Sequence, residues 1–249
     1  MYEKQLFGRK VLYFKYAPPI TKLDDVSDEE RPNPPFRNAL PHQRSVYYYW
    51  WAFLRENEDY RQCCERGGGG PLSAMFADFG DVREDKFMSW WRGGGRNLFC
   101  EPPEDQIVTY LKPPYEHDNE HRVLLSIPVT GDIERTFAEL RQLLKPIYRY
   151  ARSSDRGNSR ALRQVHSKPV LTSLHQHLIV WQATKNNPNA SHYEIAEKTG
   201  VAEATPGEKD DYDHKRTASA SVRRFIRQAK ALVYNVGQGR FPDLTPPID

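Results

Sequence analysis

The chain has 249 residues, and its 36 lysines and arginines nearly balance 33 aspartates and glutamates, leaving a formal net charge of +3. This length suffices for one large domain or two small ones with a buried core. The mean hydropathy of −0.79 and the lack of a long apolar run exclude a membrane-spanning helix. The opening residues, MYEKQLFGRK, have no apolar signal-peptide core, so we expect a cytoplasmic protein.

The three cysteines, Cys63, Cys64 and Cys100, predict neither a disulfide framework nor a zinc site. Adjacent cysteines rarely bond to each other, and an odd count is atypical of secreted domains. The sequence around Cys63 offers no C-x-x-C pair and no suitably spaced histidine. We therefore expect three reduced thiols, with no metal and no cofactor.

The N-terminal part begins with an alternating strand pattern over residues 10–16. Residues 17–41 contain six prolines and mixed charges, which predicts a linker or an extended arm. A helix is predicted after Ser45, which can cap it, and two further helices are predicted near residues 72–79 and 84–92. Runs of glycine end the first and last of these helices.

Aromatic residues are concentrated on these helices: Tyr47, Tyr48, Tyr49, Trp50, Trp51, Trp90 and Trp91. Neighbouring side chains on a helix point in different directions, and a small helical domain needs large side chains to fill its core. The favoured interpretation is therefore that these aromatic residues form the core. A patch for a partner protein and a platform for stacking single-stranded bases are the two alternatives.

The middle of the chain combines a strand pattern at 121–129 with a helical stripe of apolar residues ending near Pro146. Residues 149–168 are rich in arginine around a Ser–Gly–Asn centre, which predicts an exposed basic linker. Its arginines are candidate contacts to a polyanion: Arg152, Arg156 and Arg160. We place a domain boundary here, between an aromatic helical and strand lobe at 1–148 and a domain at 169–249.

The C-terminal part predicts three helices. One covers about residues 170–185, and a short one follows within SHYEIAEKTG, where Ser191 and Glu194 make a capping box and Gly200 suits a left-handed C-terminal cap. A long helix is predicted from Ser219 to about Val236. The fold class is therefore mainly α with a few β-strands (α+β).

The stretch from His214 to Phe241 contains no acidic residue although an acidic segment precedes it. Its cations and the hydroxyls predicted near the helix start are candidate nucleic-acid-binding residues: Arg216, Ser219, Ser221, Arg223, Arg224, Arg227 and Lys230. Cations in one row repel one another, whereas phosphates would attract them. A solvated basic helix face is the plainer alternative.

The order of these helices resembles the helix-turn-helix or winged-helix DNA-binding superfamily over roughly residues 170–241. The residues that carry the resemblance are Tyr193, Ile195, Ala196, Gly200, Ser219, Ser221, Val222, Arg223 and Ile226. It implies that the third helix enters the major groove with its N-terminal residues near base edges. The predicted loop before that helix is much longer than the superfamily's turn. Protein docking and a purely structural role are other uses of such a fold.

Residues 45–100 are similar to uncharacterised proteins of phages and mobile elements. No activity is carried over by that similarity. Together, these patterns favour a non-enzymatic DNA-binding protein of such an element, a transcriptional regulator or an accessory factor, that binds double-stranded DNA. The alternative is a protein-interaction module, such as an inhibitor or subunit of a bacterial defence nucleoprotein complex, with a partner on the aromatic lobe.

Catalytic motifs are incomplete throughout the sequence. The DFG triplet at 78–80 lacks the other kinase motifs, and the GGGG run at 67–70 lacks the lysine of a phosphate-binding loop. His175 and His177 lie two residues apart in a helical pattern, so their side chains diverge. The acidic residues near the DFG triplet leave a metal-dependent nuclease as a weaker alternative: Asp78, Asp81, Glu84 and Asp85.

Overall fold

The computed structural model describes residues 3–7, 10–23, 32–83, 86–101, 125, 127, 133–154, 159, 161–201 and 211–247. The protein is mainly helical, which confirms the predicted class at that level. Among the described residues, no helix is both long enough and apolar enough to cross a membrane.

Two strands and eight α-helices make up the regular structure of the described residues. The strands are β1 (Glu3–Phe7) and β2 (Lys10–Phe14), which pair antiparallel with Glu3 opposite Phe14. The helices are α1 (Val46–Glu56), α2 (Glu58–Glu65), α3 (Ser73–Phe79), α4 (Phe87–Gly93), α5 (Ile133–Ser154), α6 (Leu171–Asn186), α7 (His192–Thr199) and α8 (Asp211–Gly237).

The chain divides into two compact units. One combines Met1–Cys100 with Ala161–Asp249, and the other is Glu101–Arg160. This division differs from the sequence-based one, which separated 1–148 from 169–249. The physical reason is that the aromatic helices and the C-terminal helices bury their apolar side chains in one shared core, in which Trp50 and Phe241 lie 5.5 Å apart between ring centroids.

Helix α1 is the centre of that core. The Ser45 hydroxyl oxygen accepts a hydrogen bond from the backbone N–H of Tyr47 at 3.3 Å, as predicted for the cap, and donates to the carbonyl oxygen of Ala17 at 2.7 Å. The aromatic side chains of α1 are nearly all buried, with Trp50 and Tyr49 at 0% exposure. The core interpretation of the aromatic residues is thereby confirmed, because buried rings cannot stack on bases.

Asn57 interrupts the aromatic helix and begins α2. Its side-chain oxygen accepts from the N–H of Tyr60 at 2.9 Å, which caps α2, and its amide nitrogen donates to the carbonyl oxygen of Val233 at 2.6 Å. Since Val233 belongs to α8, this buried amide joins the junction of α1 and α2 to the C-terminal helix. The sequence predicted one uninterrupted helix here.

The proline-rich arm is packed against the body of the first unit at both described ends. Pro18, Pro19 and Ile20 are buried, and the Arg92 guanidinium donates to the Thr21 hydroxyl at 2.8 Å. Of the two predictions, a linker or an extended arm, these contacts favour the arm.

The second half of the predicted basic linker contacts the body of the first unit at a few residues. Ala161 and Val165 are buried, and Val165 forms a parallel bridge to Phe241. The Arg163 guanidinium forms an ion pair with Asp78 and lies over the Phe79 ring. The predicted exposed linker over 149–168 is thus wrong at Ala161 and Val165, which are buried, whereas Leu162, Gln164 and residues 166–168 are exposed as predicted.

The second unit contains α5. This helix continues through Pro146 to Ser154, so it does not end at the proline; the alternative prediction, a kink there, stays a prediction. The side chains of Ile133 and Phe137 are exposed, at 64% and 55%. The predicted strand at 121–129 lies outside the described residues except at positions 125 and 127.

Candidate nucleic-acid interface

The candidate interface lies on α8. This helix begins at Asp211 and not at Ser219 as predicted, so it includes the sequence DYDHKRTA that was assigned to a loop. Acidic residues at 211 and 213 are favourable in a first helical turn because the helix dipole is positive there. The consequence is that Ser219 and Ser221 lie two to three turns inside the helix and cannot present hydroxyls beside free backbone N–H groups at its end.

One side of α8 is buried along its length. Val222, Ala229, Leu232 and Val236 are each 0% exposed, and Phe225 and Ile226 are partly buried. This confirms the predicted apolar stripe. The N-terminal half of the stripe packs with Val180 of α6 and Ile195 of α7, whereas the C-terminal half joins the aromatic core.

Four cations form a row on the opposite side, here called the basic row: Arg216, Arg223, Arg227 and Lys230. All of them are exposed. With 3.6 residues per turn, they fall within about 60° of the helix circumference and centre roughly 130° from the buried stripe. At a rise of about 1.5 Å per residue, the row is about 21 Å long.

The basic row has no counter-ions within the described part of the protein. The ion pairs there involve other side chains, including Arg240 with Asp243 at 3.6 Å. Arg224 is exposed beside the row, with its guanidinium 5.4 Å from the Phe225 ring. Since Arg240 also donates to the Asn235 side chain at 2.8 Å, it serves the C-terminal fold and not the exposed face.

Two tyrosines lie on the same face as the basic row and mark its ends. Tyr212 precedes Arg216 by one turn and is 70% exposed, and Tyr234 follows Lys230 by one turn and is 40% exposed. The sequence interpretation missed both. The signal was available, because positions 212, 216, 223, 227, 230 and 234 share one helical phase.

The two predicted hydroxyl residues are placed less favourably than the cations. Ser219 and Ser221 are partly buried and flank the row on either side. At 100° per residue, each lies about 60° or more from Arg216 around the helix. The two hydroxyls can therefore contact a bound polyanion only at the margins of the basic row. The cations of the row would make most of the contacts.

Helix α7 supports α8 from behind. Its predicted capping box is confirmed: the Ser191 hydroxyl oxygen accepts from the Glu194 N–H at 3.2 Å, and the Glu194 carboxylate accepts from the Ser191 N–H at 2.6 Å. These hydrogen bonds lower the pKa of Glu194, since they favour its charged form. Gly200 ends the helix at φ 67°, the left-handed conformation that the sequence predicted.

A buried histidine ties α6 to α8. His177 is 3% exposed, its Nδ1 lies 2.6 Å from the carbonyl oxygen of Ser173, and its Nε2 lies 2.9 Å from Oε1 of Gln228. Gln228 follows Arg227 directly, so this contact helps to set the rotation of α8 and hence the direction of the basic row. At the start of α8, Lys215 lies over the Tyr193 ring at 5.5 Å.

The arginines predicted in the linker belong to the second unit or lie outside the described residues. Arg152 lies in α5, in the second unit, and its side chain is outside the described part. Arg156 and Arg160 lie outside the described residues. Their predicted role in binding stays a prediction.

The residues considered for metal chemistry have other partners. Asp78 pairs with Arg163, and Asp81 accepts hydrogen bonds from the guanidinium and the backbone N–H of Arg83, which lower the pKa of Asp81. Glu84 and Asp85 lie outside the described residues. His175 stacks on Phe36 with 3.8 Å between ring centroids, whereas His177, two residues later, contacts Ser173 and Gln228. Within the described ranges, no group of histidine, cysteine or acidic side chains could hold a metal ion.

None of the three cysteines, all of which the structure describes, forms a disulfide. Cys63 and Cys64 are buried beside Tyr60, and burial raises the pKa of Cys64. A buried thiol whose pKa is raised is a poor nucleophile, because the thiolate is the reactive form.

Comparison with protein-family models, with curated proteins and with solved structures finds no match to this chain. The interpretation of the α8 face therefore rests on its own geometry and charge.

Proposed function

We propose that the protein binds double-stranded DNA through the basic row on α8 and has no catalytic role. The observation that carries the proposal is a line of exposed cations on one face of a helix whose other face is buried. Aligned like charges destabilise a free helix by a few tenths of a kcal/mol per neighbouring pair. A phosphate backbone would convert that repulsion into attraction.

The helices α6, α7 and α8 would act as a helix-turn-helix-like module. Three features support this proposal: the mutual packing of the three helices, the capped α7, and the outward direction of the α8 cations. The module would differ from the superfamily pattern in the connection, since α7 ends at Thr199 and α8 begins at Asp211. The usual turn has about three or four residues.

The basic row is suited to the phosphate backbone more than to base edges. Arginine and lysine both contact phosphates, and contacts of this kind set orientation without reading sequence. Ser219 and Ser221, the residues expected near bases, lie beside the row and are partly buried. We therefore infer that most of the affinity is independent of sequence.

The proposed cellular setting is a phage or mobile element, in transcriptional regulation or an accessory step of DNA transactions. It rests only on the similarity over residues 45–100 to proteins of such elements. The charge pattern on α8 supports DNA binding whatever that setting is.

The test is fluorescence anisotropy with a labelled 30-base-pair duplex over a range of salt concentrations. Five phosphate contacts, by the basic row and Arg224, predict a slope of log K against log salt near −4.5, at about −0.9 per contact. The variant R223Q/R227Q/K230Q should lower the slope to about −1.8 and raise Kd on the order of 10²- to 10³-fold at 0.1 M salt.

The matched control is K22Q/R37Q/K168Q, which removes three exposed cations outside α8. It changes the net charge of the protein by the same amount and should change Kd far less. Equal losses for both triple variants would mean that net charge alone attracts DNA. Absence of duplex binding by the wild-type protein would overturn the proposal, and capture of an acidic protein or RNA by the row would then favour the interaction-module alternative.

A further inference from the structure

A cavity of about 300 Å³ lies between the proline-rich arm, the start of α1 and the start of α6. Its walls are mainly apolar, formed by proline rings of the arm together with Val46, Pro169 and Leu171. This volume is at the lower end of the range for small-molecule sites, which are mostly apolar with a few polar groups. None of the residues that line the cavity belongs to the basic row on α8.

Arg44 supplies the only charged side chain among the described residues that line the cavity. It ends the turn Pro41–Arg44, immediately before the Ser45 cap of α1. Its Nη1 donates to the carbonyl oxygen of Pro32 at 3.2 Å, and its buried Nε–H has no hydrogen-bond partner among the described residues. Within the described structure no carboxylate pairs with this guanidinium.

A partly buried guanidinium without a counter-ion is unfavourable, because it loses hydration and gains no compensating charge. An anion in the cavity would relieve that cost. Arginine suits a carboxylate in particular, since its planar fork matches two carboxylate oxygens. The side chains of Tyr16, Asn33 and Thr172, also in the lining, offer further hydrogen-bonding groups.

We propose that this cavity binds a small organic acid, with its carboxylate at Arg44 and its apolar body between the proline rings. A single cation matches a monoanion better than a doubly charged phosphate. The predominance of apolar wall accounts for the uncharged part of the ligand. Such a ligand would contact the arm, α1 and α6 together and would stabilise their packing.

The test uses isothermal titration calorimetry with cyclohexanecarboxylate and with its neutral isostere, cyclohexanecarboxamide. The carboxylate should bind and the amide should bind about ten- to a hundredfold more weakly, the ratio expected for charge-assisted hydrogen bonds. This comparison is made on the wild-type protein and so does not depend on any variant folding. Equal affinity for the two compounds, or no detectable carboxylate binding up to 20 mM, would overturn the proposal.

The variant Arg44→Gln should lose the preference for the carboxylate, and Arg44→Lys should keep part of it. The control is Arg37→Gln, which removes an exposed arginine of the same arm that does not line the cavity. Circular dichroism verifies that each variant is folded. Undiminished carboxylate binding by folded Arg44→Gln would also contradict the proposal, since the charge at Arg44 is its basis.

Discussion

Helices α1 and α8 pack against each other, and each carries a side-chain pattern that suggests nucleic-acid binding: aromatic rings on α1 and cations on α8. Their environments are different. Helix α1 is enclosed by other elements on nearly all sides, so its rings form the core, whereas α8 is covered on one side only. The comparison shows that a residue pattern typical of nucleic-acid binding can form a binding surface only where the fold leaves the side chains exposed.

The largest expected loss of stability follows from substitution of a buried aromatic residue on α1. Trp50 is 0% exposed and its ring contacts those of Phe79, Phe99 and Phe241. Trp50→Ala should lower the free energy of unfolding by about 3–5 kcal/mol, because it removes a large apolar side chain and leaves a cavity. Urea denaturation measures the change. Arg227→Ala on α8 should alter it by no more than about 0.5 kcal/mol; similar losses for both would contradict the assignment of core and surface.

The next effect concerns the contact between the two helices. Asn57→Ala removes the cap of α2 and the hydrogen bond to Val233, and should cost about 1–3 kcal/mol of unfolding free energy. Asn97→Ala is the control, since Asn97 is exposed. Hydrogen exchange should also rise in the C-terminal half of α8. Unchanged exchange there would show that Asn57 does not anchor α8.

A smaller effect is expected at the support of α8. Ser191→Ala removes the acceptor that caps α7 and should cost about 1 kcal/mol, whereas Ser191→Asp should retain most of the stability. Thermal unfolding measures both. At a temperature where both variants are folded, duplex affinity should match that of the wild type. A large loss of affinity in Ser191→Ala would mean that α7 contacts DNA directly.

The smallest expected effect is an increase in stability rather than a loss. R223Q/R227Q/K230Q removes two like-charge contacts, between residues 223 and 227 (i, i+4) and between residues 227 and 230 (i, i+3). Their removal should raise the free energy of unfolding by a few tenths of a kcal/mol. The gain should vanish at 1 M salt, where charges are screened beyond about 3 Å. Chemical denaturation at both salt concentrations tests this. A destabilised variant would mean that these cations support the fold, and the comparison between α1 and α8 would lose its functional meaning.

Sequence signals such as caps and turn glycines correctly predicted the structure where it depends on residues close together in the chain. Ser45 caps α1, Ser191 and Glu194 form a capping box, and Gly80 and Gly200 end their helices at positive φ. In each case the hydrogen bonds or the backbone angles involve residues within one helical turn. The apolar stripe of α8 belongs to the same class, because periodicity alone predicts which side is buried.

The beginning of α8 is the clearest failure of local reasoning. Aspartates and a tyrosine at 211–213 lie next to an acidic, glycine-containing segment, and this composition favoured a loop. Helix α8 nevertheless extends to Asp211, with Tyr193 of α7 beside His214 and Lys215. Contacts between helices supply stabilisation that composition does not reveal.

By itself, the sequence determined the helical class, most helix boundaries and the separation of cations from acids along the C-terminal helix. Only the tertiary structure decided that the two ends of the chain share one core and that Val165, within an otherwise mostly exposed basic stretch, is packed in it. It also decided that the basic row is exposed while the aromatic residues are not. The reason is that periodicity and capping act over a few residues, whereas burial depends on partners distant in sequence, such as Asn57 with Val233 and Arg163 with Asp78.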